Sequence, residues 1–154
     1  MWQAIPPFIR LVLIGASGIG LYKGFKHLSK KKLFISFAIE DVRLRNLLVG
    51  QSQNDSVPFE FIDMSVKTPW DKDWKAKCRE RIKGCHGMLV LVSKNTYQAE
   101  GVHWEVKCAE EENLKIMVMR AGGEEKLKLI PKILKNYKIN KWSWANIEDF
   151  VDTL

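Results

Sequence analysis

The chain has 154 residues, 46% of them hydrophobic and 28% charged, which is enough apolar material for one globular domain and too much for a disordered tail. Its formal charge of +7 would suit a nucleic-acid binder, but residues 1–32 hold six of the 25 Lys and Arg and none of the 18 Asp and Glu. The remainder is close to neutral, so the main support for a nucleic-acid face is gone. Three cysteines (Cys78, Cys85, Cys108) and three histidines (His27, His86, His103) are scattered without metal-ligand spacing. Free thiols in a reducing compartment follow, with no metal implied.

The first segment, MWQAIPPFIRLVLIGASGIGLY, is apolar apart from Gln3, Arg10 and Ser17, and KGFKHLSKKK follows at once. Its uninterrupted part falls short of the about 20 residues that a spanning helix needs, while counting from Trp2 reaches that length with Arg10 inside the span. Ala16, Gly20 and Gly24 have the small-xxx-small spacing of membrane helices that approach closely. The lysines that follow would hold their side in the cytoplasm. Residues 1–31 are therefore expected to be a hydrophobic helix and basic flank that anchor the chain to the cell membrane, single-pass or peripheral, with the domain at 32–154 in the cytoplasm. An amphipathic helix on the membrane surface is a rival, and so is a secretory signal, which fits poorly with unpaired thiols.

From residue 32 onward, short apolar runs alternate with amphipathic stretches, the rhythm of βαβ units around a parallel sheet. LFISF at 33–37 reads as a first strand, and EDVRLRNLLVG as a helix ended by Gly50. QSQNDS is a loop, VPFEFID carries a second strand to about residue 63, and MSVKTPWDK is a loop before a helix that runs to about residue 83. GMLVLVS is a continuous apolar strand of the kind covered on both faces. A helix containing Glu105 follows, then the strand LKIMVMR. The tail should hold a short helix near 129–135, a strand near 139–142 and a final helix pinned by Trp144, Ile147, Phe150, Val151 and Leu154.

Ligands of such sheets gather beyond the carboxyl ends of the strands, here at 37–41, 63–70, 93–97 and 120–123. No glycine-rich loop follows the first strand, and GASGIG precedes every strand, so neither a dinucleotide fingerprint nor a P-loop is present. Glu40, Asp41, Asp63 and Ser93 follow successive strands and resemble the acidic set of a phospho-accepting receiver, although the spacing from Glu40 to Asp63 is short for the intervening unit. As local structure, Glu40 or Asp41 would cap a helix and Asp63 would close a turn. Helical spacing puts Val102, Val106 and Ala109 on one face with Glu105 at the flank of the stripe. On spacing alone Glu105 is a helix-surface carboxylate that gains about 0.5 kcal/mol from the helix dipole.

LFISFAIED, FEFIDMS, a Trp-bearing helix, GMLVLVSKNTY and V-x-W-E-V occur in that order and spacing. Together they resemble a TIR domain, in particular the bacterial TIR-like family that includes the Thoeris antiphage TIR proteins. The resemblance covers about residues 32–154 and implies a flavodoxin-like fold, a central parallel sheet flanked by helices. It implies an enzyme that breaks the bond between nicotinamide and ribose in NAD, which is substrate rather than cofactor, and makes an ADP-ribose-derived signal for a separate effector protein. It makes Glu105 the catalytic residue and sets Phe37, Ala38, Asp41, Asp63, Ser65, Trp70, Trp74 and Trp104 around the substrate. It also implies TIR–TIR self-association, which in the alternative reading, a non-catalytic signalling scaffold, would be the whole function. Many members carry a tryptophan four residues before the catalytic glutamate. Gly101 stands there in this chain, and Trp104 adjoins Glu105 instead.

Overall fold

The structure, a computed structural model, describes residues 30–54, 57–62, 72–121 and 127–154. Five parallel strands form one sheet in the order β2-β1-β3-β4-β5. They are β1 (Lys31–Ser36), β2 (Phe59–Ile62), β3 (Gly87–Val92), β4 (Lys115–Arg120) and β5 (Ile139–Asn140). Among the described residues four α-helices connect and cover them: α1 (Val42–Asn54), α2 (Trp74–Lys83), α3 (Glu100–Glu111) and α4 (Trp144–Asp152). The fold is α/β and flavodoxin-like, as the alternating pattern predicts. The chain steps outward from β1 to β2 and then returns to the other side of β1 as β3, so the strand order reverses between β1 and β3, where a doubly wound sheet opens its crevice.

Strand alternation sorts the core into two layers. Leu33, Ile35 and Phe37 pack with Leu48 of α1 and with Ile147 and Val151 of α4. On the opposite face, Phe34, Met88, Val90 and Val92 pack with Cys78 and Ile82 of α2 and with Val102, Val106 and Ala109 of α3. All six residues of β3 are buried, as the middle strand of a sheet covered on both faces requires. Gly87 at its start is a close approach: a Cβ there would meet Leu154 Cδ2 at 2.9 Å and Phe150 Cζ at 3.2 Å. Lys31 Nζ donates to the Leu154 carbonyl at 3.0 Å, so the tail is tied to the base of the sheet.

Two local expectations need correction. A 3-10 turn at Ile39–Asp41 leads into α1, and α1 does not stop at Gly50 but runs on to Asn54, so part of QSQNDS is helical. A glycine in a helix interior costs about 1 kcal/mol against alanine. Burial of Leu48, which is fully enclosed, offsets it by about 1.5–3 kcal/mol. The end of α3, by contrast, is encoded locally. Asn113 adopts φ 57°, its N–H reaches the Glu110 carbonyl, and the Leu114 N–H reaches the Ala109 carbonyl, a Schellman closure that launches β4.

The expected N-terminal hydrophobic helix lies outside the described residues. Among the described residues no helix is long and apolar enough to cross a membrane.

Candidate active site

Glu105 sits in the second turn of α3, with Val102 one turn before it and Val106 and Ala109 beside and after it, all buried. It is 0% exposed, so the surface position inferred from helical spacing is wrong. The apolar stripe of α3 is wide enough to include position 105, and the layer beneath it belongs to β1 and α2. Ser36, the last residue of β1 and itself fully buried, donates its hydroxyl to Glu105 Oε2 at 2.6 Å. That length is typical of a hydroxyl donating to a carboxylate, about 2.5–2.7 Å. The thiol of Cys78, from α2, lies 3.9 Å from Glu105 Oε1. Three elements thus meet at one carboxylate beside the carboxyl end of β1. A hydrogen bond to a charged group contributes about 1.5–3 kcal/mol, which offsets part of the cost of removing a carboxylate from water.

One turn before Cys78, Trp74 meets Trp104, the neighbour of Glu105, edge to face with ring centroids 5.3 Å apart. The guanidinium of Arg79 stands 5.8 Å from the Trp104 ring centroid. It donates to Glu111 Oε2 at 2.6 Å and to Glu112 Oε1 at 2.8 Å. Arg79 therefore clamps α2 to the end of α3 over the tryptophan pair. Its hydrogen bonds with these carboxylates raise its pKa, and its bond to Glu111 lowers that carboxyl from the ordinary value. Burial, the leading cause, pushes the Cys108 thiol up and holds Cys85 at about 11, so both stay protonated near neutrality.

Asp41 belongs to a different network. It is buried at the end of the 3-10 turn, and its Oδ2 accepts the Ser93 hydroxyl at 2.5 Å while its Oδ1 accepts the Asn95 amide at 2.8 Å. The Asn95 backbone N–H closes onto Ser93 Oγ at 2.9 Å. The loops after β1 and β3 are stapled together across the point where the strand order reverses.

A family model described as Thoeris protein ThsB, TIR-like domain, matches residues 34–126. The chain belongs to this family. The matched stretch contains the second half of β1 and the whole of β3 and α3, and with them Ser36, Cys78 and Glu105. No curated protein matches the chain.

Of the TIR site residues expected from the sequence, the structure gathers Glu105, Trp74 and Trp104 on the α2/α3 face. Phe37 is buried in the opposite layer with α1 and α4, Ala38 is buried at the turn that follows it, and Asp41 is held by Ser93 and Asn95. Asp63, Ser65 and Trp70 lie outside the described residues. Asp41 and Ser93 of the receiver-like set do meet, and among the described residues no group of three or more His, Cys, Asp or Glu side chains could hold a metal ion. Sequence reading did not single out Ser36 or Cys78 as partners of Glu105. The signal for Ser36 was present: a polar residue at an inward position of an otherwise apolar strand asks for a partner across the layer.

Proposed function

We propose that this Thoeris-type TIR domain is an NAD-cleaving enzyme with Glu105 as its catalytic residue, making an ADP-ribose-derived signal that a separate effector reads in antiphage defence. The observation that carries the reading is a fully enclosed carboxylate, hydrogen-bonded by Ser36 at the carboxyl end of the first strand, in the layer against which the Trp74–Trp104 pair packs. A buried acid that a hydrophobic residue could replace without loss of stability is better explained by chemistry than by folding.

Cleavage breaks the bond between the nicotinamide nitrogen and the ribose anomeric carbon. The bonding pair moves onto the nicotinamide nitrogen and cancels its positive charge, so the leaving group needs no proton. That differs from a glycoside, whose leaving oxygen is protonated by a general acid. Positive charge develops at the anomeric carbon, where a desolvated carboxylate stabilises it more strongly than water would. Water attacks there and loses a proton to give ADP-ribose, or an internal nucleophile attacks to give a cyclic product. Trp74 and Trp104 supply aromatic faces for the departing ring, NAD being the substrate. Self-association through TIR surfaces and attachment to the cell membrane through residues 1–31 belong to the same reading.

The full-length chain in lipid, incubated with NAD and followed by nicotinamide release, tests it. Glu105→Gln should lower release by about a hundredfold or more. Equal release by a folded Glu105→Gln protein would sink the assignment.

The scaffold reading draws on the same burial, since Glu105 at 0% exposure cannot touch substrate until the site opens. A scaffold tolerates Glu105→Gln in signalling and loses function on charge reversal of an exposed helix residue. Both charges stand over a tryptophan of the pair, Lys75 Nζ 5.8 Å from the Trp74 ring centroid, but Arg79 is also tied to Glu111 and Glu112 and its reversal would break the α2–α3 clamp, so Lys75 disturbs less.

A further inference from the structure

Helix α3 places Glu105, and the local sequence does little to wind the start of that helix. Ala99 stands at its N-cap and has no side chain that can accept from the amides of the first turn. Gly101, inside that turn, is a weak helix former, which the charge of Glu100 near the helix N-terminus offsets only in part. Val102 is buried in the first turn, but Val106 and Ala109, which pin the helix to the sheet, come after Glu105.

A side chain supplies the hold that the cap lacks. His103, partly buried in the same turn, brings Nε2 to 3.2 Å from the Thr96 carbonyl. A carbonyl oxygen can only accept, so the imidazole carries a proton on Nε2 and donates it. The same carbonyl accepts the Ala99 N–H at 3.1 Å, and the Ala99 carbonyl accepts the N–H groups of Val102 and His103 at 2.9 and 3.2 Å. The first turn of α3 is thereby laced to the 3-10 turn at Thr96–Gln98 that precedes it. Thr96 is fully buried, and its Oγ1 accepts the Ser93 N–H at 2.9 Å. Ser93 in turn donates its hydroxyl to Asp41, so the lacing ends on the turn that follows β1.

We propose that His103 is a positioning residue for Glu105, an inference that rests on the catalytic reading of that carboxylate. Side chains two residues apart on a helix point about 200° apart. His103 accordingly lines a groove with Tyr97 and Lys132, while Glu105 faces Ser36, and the backbone between them carries the effect. Glu105 is then referred to the end of β1 twice. Ser36 holds its carboxylate directly, and Asp41, through Ser93, Thr96 and His103, holds the turn of helix that leads to it. Loss of the His103 bond lets the first turn fray, and a frayed turn aims Glu105 over a wider range of directions.

Two readouts on the full-length chain in lipid test this: nicotinamide release from NAD, and amide hydrogen exchange along α3. His103→Phe keeps an aromatic ring and removes the donor, while His103→Gln removes the ring and keeps an N–H of similar reach. His103→Phe should lower kcat about tenfold with KM nearly unchanged, and should speed exchange of the amides at 102–104 about tenfold, the weight of one hydrogen bond, with the amides of β3 unaltered. His103→Gln should recover most of both. His103→Ala, which cannot crowd the groove, replaces the Phe variant if that one is globally unstable. Unchanged exchange at 102–104 without the donor, equal losses with and without it, or a KM that rises at constant kcat would each overturn the proposal. A parent chain that releases no nicotinamide would instead remove the catalytic reading of Glu105, and the exchange comparison alone would then decide whether His103 holds the turn.

Discussion

The two faces of the sheet solve the same packing problem with different materials. Under α1 and α4 the enclosed side chains, among them Leu33, Ile35, Phe37, Leu48, Leu89, Leu91 and Met119, are apolar throughout. Under α2 and α3, in a layer otherwise just as apolar, the fold encloses the carboxylate of Glu105 with the Ser36 hydroxyl and the Cys78 thiol. Burial of hydrocarbon stabilises in proportion to area, about 25 cal/mol per Å². Burial of a carboxylate stabilises nothing by itself and must be offset by its partners. The first face explains why the domain is stable. The second is where stability has been given up for something else, which is the pattern expected of a functional site.

The sharpest way to break this comparison is to empty one face and read out both properties. Leu48→Ala should cost about 2–5 kcal/mol in unfolding free energy, because a fully enclosed leucine leaves a cavity that the sheet cannot fill. Nicotinamide release per folded molecule should be unaffected. Denaturant unfolding with a parallel rate assay measures both, and a rate that falls with the folded protein intact would mean that the α1/α4 layer shapes the site as well.

Ser36 gives the next effect. Ser36→Ala removes the donor at 2.6 Å from a fully enclosed carboxylate, and the loss of such a bond costs about 1–3 kcal/mol. Turnover should fall by about tenfold through loss of the orientation of Glu105, a factor equal to about 1.4 kcal/mol. Ser36→Thr, which keeps the hydroxyl, should recover part of the rate even where its extra methyl lowers stability. A Thr variant no faster than the Ala variant, with stabilities matched, would reduce Ser36 to a packing residue.

Most of the sheet was legible in the sequence because parallel strands covered on both faces are continuous apolar runs, and GMLVLV is the plainest of them. The final helix was legible for a similar reason: Trp144, Ile147, Val151 and Leu154 recur at helical spacing and all pack into the α1/α4 layer. Glu105 shows where one-dimensional spacing fails. Position 105 borders the stripe of α3, and whether a bordering residue meets water or a neighbouring element depends on how closely α2 approaches, which the sequence of α3 does not contain. The family motifs pointed to Glu105 as a catalytic residue, while its enclosure and its partners Ser36 and Cys78 emerge only in three dimensions. The staple from Asp41 to Ser93 and Asn95 was beyond reach for the same reason, since it joins loops 52 and 54 positions apart.

Gly50 marks the opposite failure, a local signal overruled by packing, and it supplies the smallest effect. Glycine after an amphipathic run reads as a helix stop, yet α1 continues through Gly50 to Asn54, carried by Leu48 in the core and by Ser52, whose hydroxyl donates to the Val49 carbonyl at 2.6 Å. A Cβ at position 50 would meet nothing within 4 Å, so alanine fits without displacement. Gly50→Ala should therefore raise stability by about 0.5–1 kcal/mol through helix propensity and reduced unfolded-state freedom. In a chain of this size that is a rise in Tm of about 2–4 °C per kcal/mol, with nicotinamide release unchanged. A fall in Tm would mean that Gly50 takes a conformation closed to alanine and that the helix ends where the sequence alone would end it. The α1 boundary would then move, and with it the packing of Leu48 that makes this face of the sheet the stable one.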